Sequence, residues 1–202
     1  MQRIIRNVLA ILLFLTAPAY AGGAMGLMMA GSSAAAGCSN NSTTDYVGDK
    51  TTRTANASNS ANVFTCARYQ ASNMTCTTGT LGGGTIHHYG TGSANMKVLV
   101  YKSTDTTPVT GSAADELIGA SSSMAVSADQ TYKTADIGGT VTKNDYYWVC
   151  QTQDAAASVY KDNAGASVYQ AALSFASPPA SFSGASFSTI VTRLYEMWVE
   201  VK

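Results

Sequence analysis

Residues 95–102 read NMKVLVYK and contain the clearest strand pattern in the chain. Successive side chains of a β-strand point to opposite faces, so Met96, Val98 and Val100 share one face. The same alternation recurs near the C terminus, where one face collects Tyr195, Met197, Val199 and Val201. This period of two predicts strands that bury one side against a core.

Similar short apolar or aromatic runs, separated by Gly, Asn, Asp and Ser, extend from residue 61 to the C terminus, and no segment shows a long helical period. Strands are predicted at residues 62–69, 74–79, 84–89, 95–102, 116–126, 132–137, 146–153, 158–160, 167–175 and 190–201. This succession predicts an all-β fold, a jelly-roll-like antiparallel β-sandwich with a flexible N-terminal arm.

A short internal echo occurs late in the chain. Residues 157–160 and 166–169 both read ASVY, and residues 161–165 between them contain Asp, Asn and Gly. Because these residue types tolerate turn dihedrals, the echo predicts a β-hairpin.

The N terminus resembles a cleaved export signal. Arg3 and Arg6 form a basic region, residues 8–15 are apolar, and Ala19-Tyr20-Ala21 fits a small-x-small cleavage site. A retained helical anchor is the competing interpretation, but proline and glycines interrupt the segment. Residues 1–21 are therefore predicted to be a Sec-type signal peptide, which places the mature protein outside the cell or on its surface and confines membrane contact to export.

Residues 22–60 are rich in Gly, Ala, Ser, Thr and Asn and show little periodicity. This composition predicts a low-complexity arm preceding a β-sandwich domain at residues 61–202. The arm also contains apolar residues that could add to a sheet edge or pack on a neighbouring subunit: Met25, Leu27, Met28 and Met29.

Composition excludes nucleic acid as a partner. Removing Arg3 and Arg6 with the signal leaves 10 of the 12 Lys and Arg residues, against 12 Asp and Glu residues. Such a slightly acidic chain has no electrostatic attraction for phosphate backbones. Only 12% of the residues are charged, which suits exported proteins and fibres.

The cysteines are Cys38, Cys66, Cys76 and Cys150. An even number in an exported chain predicts two disulfides, for which three pairings exist. The preferred pairing joins Cys66 to Cys76 and leaves Cys38 for Cys150. Zinc is the alternative, although no Cys-x-x-Cys pair is present. Lipidation at Cys38 is a second alternative, because residues 35–38 loosely match a lipobox without its usual large residue.

Two segments carry a resemblance to a known group of proteins. Residues 95–102 and residues 141–149, VTKNDYYWV, resemble strands of extracellular jelly-roll β-sandwich modules of the carbohydrate-binding-like and surface-protein type. The resemblance covers about residues 61–202 and rests on sheet-core patterns. It implies the jelly-roll fold and no catalytic residue, and a structural calcium ion between loops is known in such modules.

The sequence carries no recognisable motif of a hydrolase. The chain has no Gly-x-Ser-x-Gly, and its histidines are His87 and His88. Neighbouring strand residues face opposite ways, so these two side chains cannot share one ion. The sequence therefore predicts no enzyme activity, no catalytic residue, no metal site and no cofactor, with structural calcium as the alternative.

Exposed aromatic residues are the best indication of function. Trp198 falls on the opposite face from Met197 and Val199, between Glu196 and Glu200, where its ring would meet a sugar, another subunit or a loop. The full set of ligand or interface candidates is Tyr147, Tyr160, Tyr169, Asp162, Asn163 and Trp198.

Two functional hypotheses follow. The first is a non-catalytic structural subunit of an extracellular fibre, appendage or surface assembly, which would self-associate through the arm. The second is a glycan-binding or adhesive module, which would use the aromatic candidates.

Overall fold

The computed structural model describes residues 38–39, 44–162, 167–191 and 194–202. The predicted signal peptide and the arm residues Met25, Leu27, Met28 and Met29 lie outside the described residues. No helix in these ranges is long and apolar enough to cross a bilayer. The described strands are β1 (Tyr46–Asp49), β2 (Ala55–Asn59), β3 (Val63–Gln70), β4 (Thr78–Tyr89), β5 (Ala94–Lys102), β6 (Leu117–Ala120), β7 (Met124–Val126), β8 (Gln130–Asp136), β9 (Thr140–Thr142), β10 (Tyr146–Gln153), β11 (Ala157–Asp162), β12 (Ser167–Ala172), β13 (Ser188–Val191), β14 (Leu194–Tyr195) and β15 (Met197–Val201).

These strands form two antiparallel sheets. The eight-stranded sheet has the order β1-β15-β4-β11-β14, with β2 paired to β11 and with β8 and β9 paired to β4. The seven-stranded sheet has the order β13-β12-β3-β10-β5-β6, with β7 paired to β5. The prediction of an all-β antiparallel sandwich is therefore confirmed.

The main core lies between the sheets, where the predicted strand parity is confirmed. Met96, Val98 and Val100 of β5 are buried there, together with Met197 and Val199 of β15. The sheets approach closely at Gly84, where an added Cβ would lie 2.6 Å from Cβ of Val98. A larger residue at this position would push the sheets apart.

A second core lies on the outer face of the seven-stranded sheet. The chain after β12 returns across this face, and the ring of Phe182 stacks on Tyr101 with 4.1 Å between ring centroids. Phe187 packs edge-on against Phe182 at 4.7 Å. The buried members of this second core are Phe64, Cys66, Leu99, Tyr101, Trp148, Cys150 and Phe182.

The sandwich begins earlier than the sequence predicts. β1 and β2 fall within residues 22–60, which were assigned to the arm, and all described residues belong to one compact unit. β1 and β2 contribute few apolar side chains, chiefly the buried Val47 and Ala57. They are ordered by pairing with β15 and β11, which local composition does not reveal.

The predicted ASVY hairpin is wrong. β11 pairs with β2, β4 and β14 in the eight-stranded sheet, whereas β12 pairs with β3 and β13 in the other sheet. The connection between β11 and β12 is therefore a crossover between sheets. Turn-forming residues permit a change of direction, but they do not specify which strand becomes the partner.

Some observed strand boundaries differ from the predicted ones, because glycines or a long strand-like run of sequence hide where a strand begins or ends. The predicted strand 84–89 and the last two residues of the predicted strand 74–79 belong to one strand, β4, which continues through residues 82–84, whereas residues 74–77 lie outside any strand. The predicted strand 116–126 is divided into β6 and β7, both of which pair with β5. β9 was missed because it has only three residues.

The cysteines form two disulfides, as predicted, but the preferred pairing is wrong. Cys66 is joined to Cys150 with a Cα–Cα distance of 4.0 Å, and Cys38 is joined to Cys76 at 4.7 Å. Cys66 lies directly opposite Cys150 on neighbouring strands. Cys66 belongs to the second core and Cys76 to the main core, so the seven-stranded sheet separates the pair that the sequence favoured.

Candidate functional site

The outer face of the eight-stranded sheet, which we call the open face, presents the main group of surface aromatic and ionisable side chains. On β4 the buried Ile86 and His88 point to the core, so Thr85, His87 and Tyr89 point outwards. This opposite placement of the two histidines agrees with the sequence prediction. On β15 the same alternation directs Trp198 and Glu200 to the open face.

In the middle of the open face, β15 and β11 pair with successive parts of β4 and diverge from each other, and we call this point of divergence the fork. β15 pairs with β4 as far as Met197 opposite Ile86, and β11 then occupies the edge of β4 by pairing with His88 and Tyr89. Glu196 lies at this fork, where its backbone N–H donates to the carbonyl oxygen of Tyr160 at 3.4 Å. Strands that diverge in this way leave polar groups that side chains must satisfy.

The side chain of Glu196 lies at the fork and is only 7% exposed. Its Oε2 accepts a hydrogen bond from the backbone N–H of Arg53 at 3.2 Å and lies 3.0 Å from Nδ1 of His87. Arg53 in turn forms an ion pair with Asp49. A buried carboxylate is stable when it is paired in this manner, so the contacts join the segments that precede β2 and β15 to β4.

His87 connects this buried carboxylate to the surface. Its Nε2 lies 3.7 Å from Oδ1 of the exposed Asp129, and its ring packs on Tyr160 with 4.1 Å between centroids. The hydroxyl of Tyr160 donates to Oδ2 of Asp129 at 3.1 Å. Burial, and then the neighbouring Asp129 carboxylate, raise the pKa of Tyr160, so its phenol remains a hydrogen-bond donor.

Tyr89 extends this group outwards. Its ring meets Tyr160 edge-on at 5.2 Å, and 39% of the residue is exposed. We call His87, Tyr89, Asp129, Tyr160 and Glu196 the fork cluster. Its rings and carboxylates can stack on an apolar ligand surface and accept hydrogen bonds from hydroxyl groups.

A second aromatic group lies beside the edge strand β1. The ammonium of Lys50 lies 3.9 Å from the ring centroid of Tyr46 and 5.6 Å from that of Trp198. Gly48 pairs with Trp198 in the sheet, and a Cβ at Gly48 would lie 2.6 Å from Cα of Trp198. This glycine therefore lets β1 and the strand that carries Trp198 approach closely.

The open face also carries paired charges, and one of them, Glu200, lies directly opposite Tyr46 in the sheet. Nζ of Lys133 lies 2.7 Å from Oε2 of Glu200, and Nζ of Lys202 lies 2.8 Å from Oδ2 of Asp136. These charges are satisfied by one another and leave the aromatic groups as the distinctive part of the face.

The structure separates the tyrosines that the sequence grouped. Tyr160 lies in the fork cluster, whereas Tyr147 is a core residue with 4% exposure whose hydroxyl accepts from the Thr142 N–H at 2.8 Å. Tyr169 lies on the other sheet, where it lines a pocket of about 370 Å³ with Pro108 and Phe187. Tyr147 is therefore unsuited to a surface site, and Tyr160 and Tyr169 cannot serve one site together.

The remaining candidates have different outcomes. Trp198 faces outwards, as predicted, and is partly buried. Asn163 lies outside the described residues, and only the backbone of Asp162 is described. Within the described ranges, the metal-type group Cys38, Asp45 and Cys76 has both sulfurs in a disulfide. The expectation of no cofactor, with structural calcium as the alternative, stays a prediction.

Several residues of the open face were missed by sequence reasoning. Tyr89 could have been found, because it is two residues from His87 on a predicted strand. Arg53, Asp129 and Lys50 could not, because each lies outside the predicted strands and reaches the face through a tertiary contact.

The sequence matches no protein-family model, and no curated protein shows significant similarity to it. The two disulfides indicate an oxidising environment outside the cytoplasm.

Because no family or relative indicates a function, the function is inferred from the open face itself.

Proposed function

We propose that the protein is an exported, non-catalytic binding module that holds carbohydrate on the open face. One observation carries this proposal: Tyr89, Tyr160 and Trp198 line an outer sheet face beside carboxylates, whereas Tyr101 and Trp148 on the other outer face are buried in the second core. The resemblance to carbohydrate-binding-like sandwich modules supports the same function.

The chemistry of the face matches that of a sugar. The C–H surface of a pyranose ring packs on an aromatic ring, while its hydroxyls need donors and acceptors at the rim. Tyr89 supplies an exposed ring that contacts Tyr160, and the exposed Asp129, which also contacts Tyr160, supplies acceptor oxygens.

Glycan-array screening followed by calorimetry tests the proposal. We expect the mature protein to bind at least one oligosaccharide, and Tyr89→Ala and Tyr160→Ala each to weaken binding about tenfold or more. Tyr146→Ala is the matched control, because Tyr146 has 38% exposure but lies on the seven-stranded sheet, stacked with Arg68. Binding that is lost equally in Tyr146→Ala, or absent from the whole array, would reject the proposal.

A structural subunit of an extracellular fibre, appendage or surface layer is the second candidate function. It is favoured by the Cys38–Cys76 disulfide, which joins the start of the described sandwich covalently to the turn before β4. Load on the preceding arm would then be transmitted to the core. The arm itself is tested by deleting residues 22–37.

Electron microscopy and light scattering distinguish the two functions. A structural subunit forms filaments or large assemblies that the deletion abolishes, whereas Tyr160→Ala leaves them intact. A monomer at all concentrations would reject the assembly function and leave carbohydrate binding as the proposal.

A further inference from the structure

Lys50 is held over the two aromatic rings at the β1 edge of the open face. Its ammonium is 3.9 Å from the Tyr46 centroid and 5.6 Å from the Trp198 centroid, and all three residues are partly buried. Tyr46 pairs with Glu200 and Gly48 with Trp198, so the two rings are diagonal neighbours on one face. The sheet thus fixes a cation beside a stacking surface.

The carboxylates around Lys50 have other partners. Asp49 is paired with Arg53 and also accepts from the Thr51 N–H at 2.7 Å. Glu200 is 2.7 Å from Lys133. Among the residues that the structure describes, no carboxylate lies within ion-pair distance of Lys50.

Burial lowers the pKa of Lys50, although the more distant charge of Glu200 opposes this effect. Cation–π contact offsets part of the lost hydration, but an anion in direct contact would stabilise the ammonium further. The ammonium therefore has capacity for a negatively charged partner.

We infer that the carbohydrate bound on the open face is anionic and that Lys50 pairs with its carboxylate or sulfate group while a sugar ring packs on Trp198. This inference rests on the proposed function and names the ligand class. It also fixes the direction of binding. The fork cluster carries the exposed Asp129, whose carboxylate repels anions, so the anionic group is bound at the β1 end.

Calorimetry with three probes tests the inference: a neutral hexasaccharide, the corresponding hexauronate and the corresponding sulfated hexasaccharide. The wild-type protein should bind one anionic probe about tenfold more tightly than the neutral one, since a charge-assisted contact has that effect. A preference for the hexauronate identifies a carboxylate as the partner, and a preference for the sulfated probe identifies a sulfate.

Variants assign the charge preference to Lys50. Lys50→Met keeps the aliphatic stem and should bring the ratio of anionic to neutral affinity close to one, and Lys50→Arg should restore that ratio. Lys102→Met is the control, because it removes the same charge from an exposed position on the other sheet. Circular dichroism and thermal melting establish that each variant is folded.

The outcomes separate the inference from the proposed function. Equal affinity for neutral and anionic probes, or an equal loss in Lys102→Met, would overturn the role of Lys50 and leave carbohydrate binding standing. Failure of the folded wild-type protein to bind any oligosaccharide, including the array, would overturn both.

Discussion

The outer faces of the two sheets differ in what covers their aromatic side chains. On the seven-stranded sheet, Tyr101 lies beneath Phe182, Trp148 packs edge-on against Tyr169, and both Tyr101 and Trp148 are fully buried. On the eight-stranded sheet, Tyr160 and Trp198 remain partly exposed, and their neighbours are ionisable groups rather than a returning segment.

The difference shows that an aromatic residue on an outward strand position can serve stability or binding. A covering segment converts the position into a second core, because the ring then loses its contact with water. Without a cover, the ring packs against charged neighbours and keeps a surface for a ligand. Trp148 and Trp198 both point outwards from their strands, but Trp148 is buried in the second core, whereas Trp198 remains partly exposed.

Removing the cover should have the largest effect on stability. Phe182→Ala deletes a fully buried ring that contacts Tyr101 and Phe187, and we expect a loss of about 3–5 kcal/mol in the free energy of unfolding. Urea denaturation measures it. A loss below about 1 kcal/mol would mean that the segment after β12 does not act as a core element.

Opening the disulfide beneath the cover should have the next largest effect. The Cys66→Ala, Cys150→Ala double variant removes a link across 84 residues of sequence, and we expect a loss of about 2–4 kcal/mol. The same denaturation measurement tests it under non-reducing conditions. Carbohydrate binding should be unchanged, because the disulfide lies on the other sheet; a large loss of binding in the folded variant would contradict the separation of the two faces.

Acid should loosen the edge of the open sheet before it affects the covered sheet. Asp45 precedes β1, and its buried carboxylate accepts hydrogen bonds from Ser39 and Thr75. Burial alone would raise its pKa, but these hydrogen bonds lower it from 3.8 to about 2. The pKa of Asp45 is therefore lower in the folded protein than in the unfolded chain. Ionised Asp45 stabilises the fold above pH 3.8, and this contribution is lost as the pH falls from 3.8 to about 2.

Hydrogen exchange from pH 5 to pH 2, corrected for intrinsic rates, measures this effect. As the pH falls from 3.8 to about 2, the amides of β1 should lose protection, while those of β10 should retain it. Asp45→Asn should remove the pH dependence of β1. Equal loss of protection in both strands would show that Asp45 affects global stability and not the edge of the open sheet.

Removing a ring from the open face should have the smallest effect on stability. Tyr160→Ala deletes a partly exposed side chain, and we expect a loss of about 1 kcal/mol, compared with several for Phe182→Ala. The comparison uses the same urea titration. A loss as large as that of Phe182→Ala would identify the fork cluster as a structural element and weaken the proposal that it binds a ligand.

The fold was more predictable than the candidate site. Residues 95–102 alternate and residues 146–153 begin with an unbroken aromatic and apolar run, and both strands were found close to their observed bounds. β1 and β2 were missed, because short polar strands are ordered by their partners. At the site, the outward direction of Trp198 followed from parity, but the burial of Glu196 did not, because it depends on the fork between three strands.

The sequence by itself determined the all-β class, the parity of the main strands and the oxidation of the cysteines. These properties follow from local geometry and composition, since a strand alternates its side chains whatever it pairs with. Only the tertiary structure decided that Cys66 joins Cys150, that β11 and β12 belong to different sheets and that Phe182 covers one outer face while the other stays open. Each of these depends on which distant segments meet, and the pattern within a segment does not record its partner.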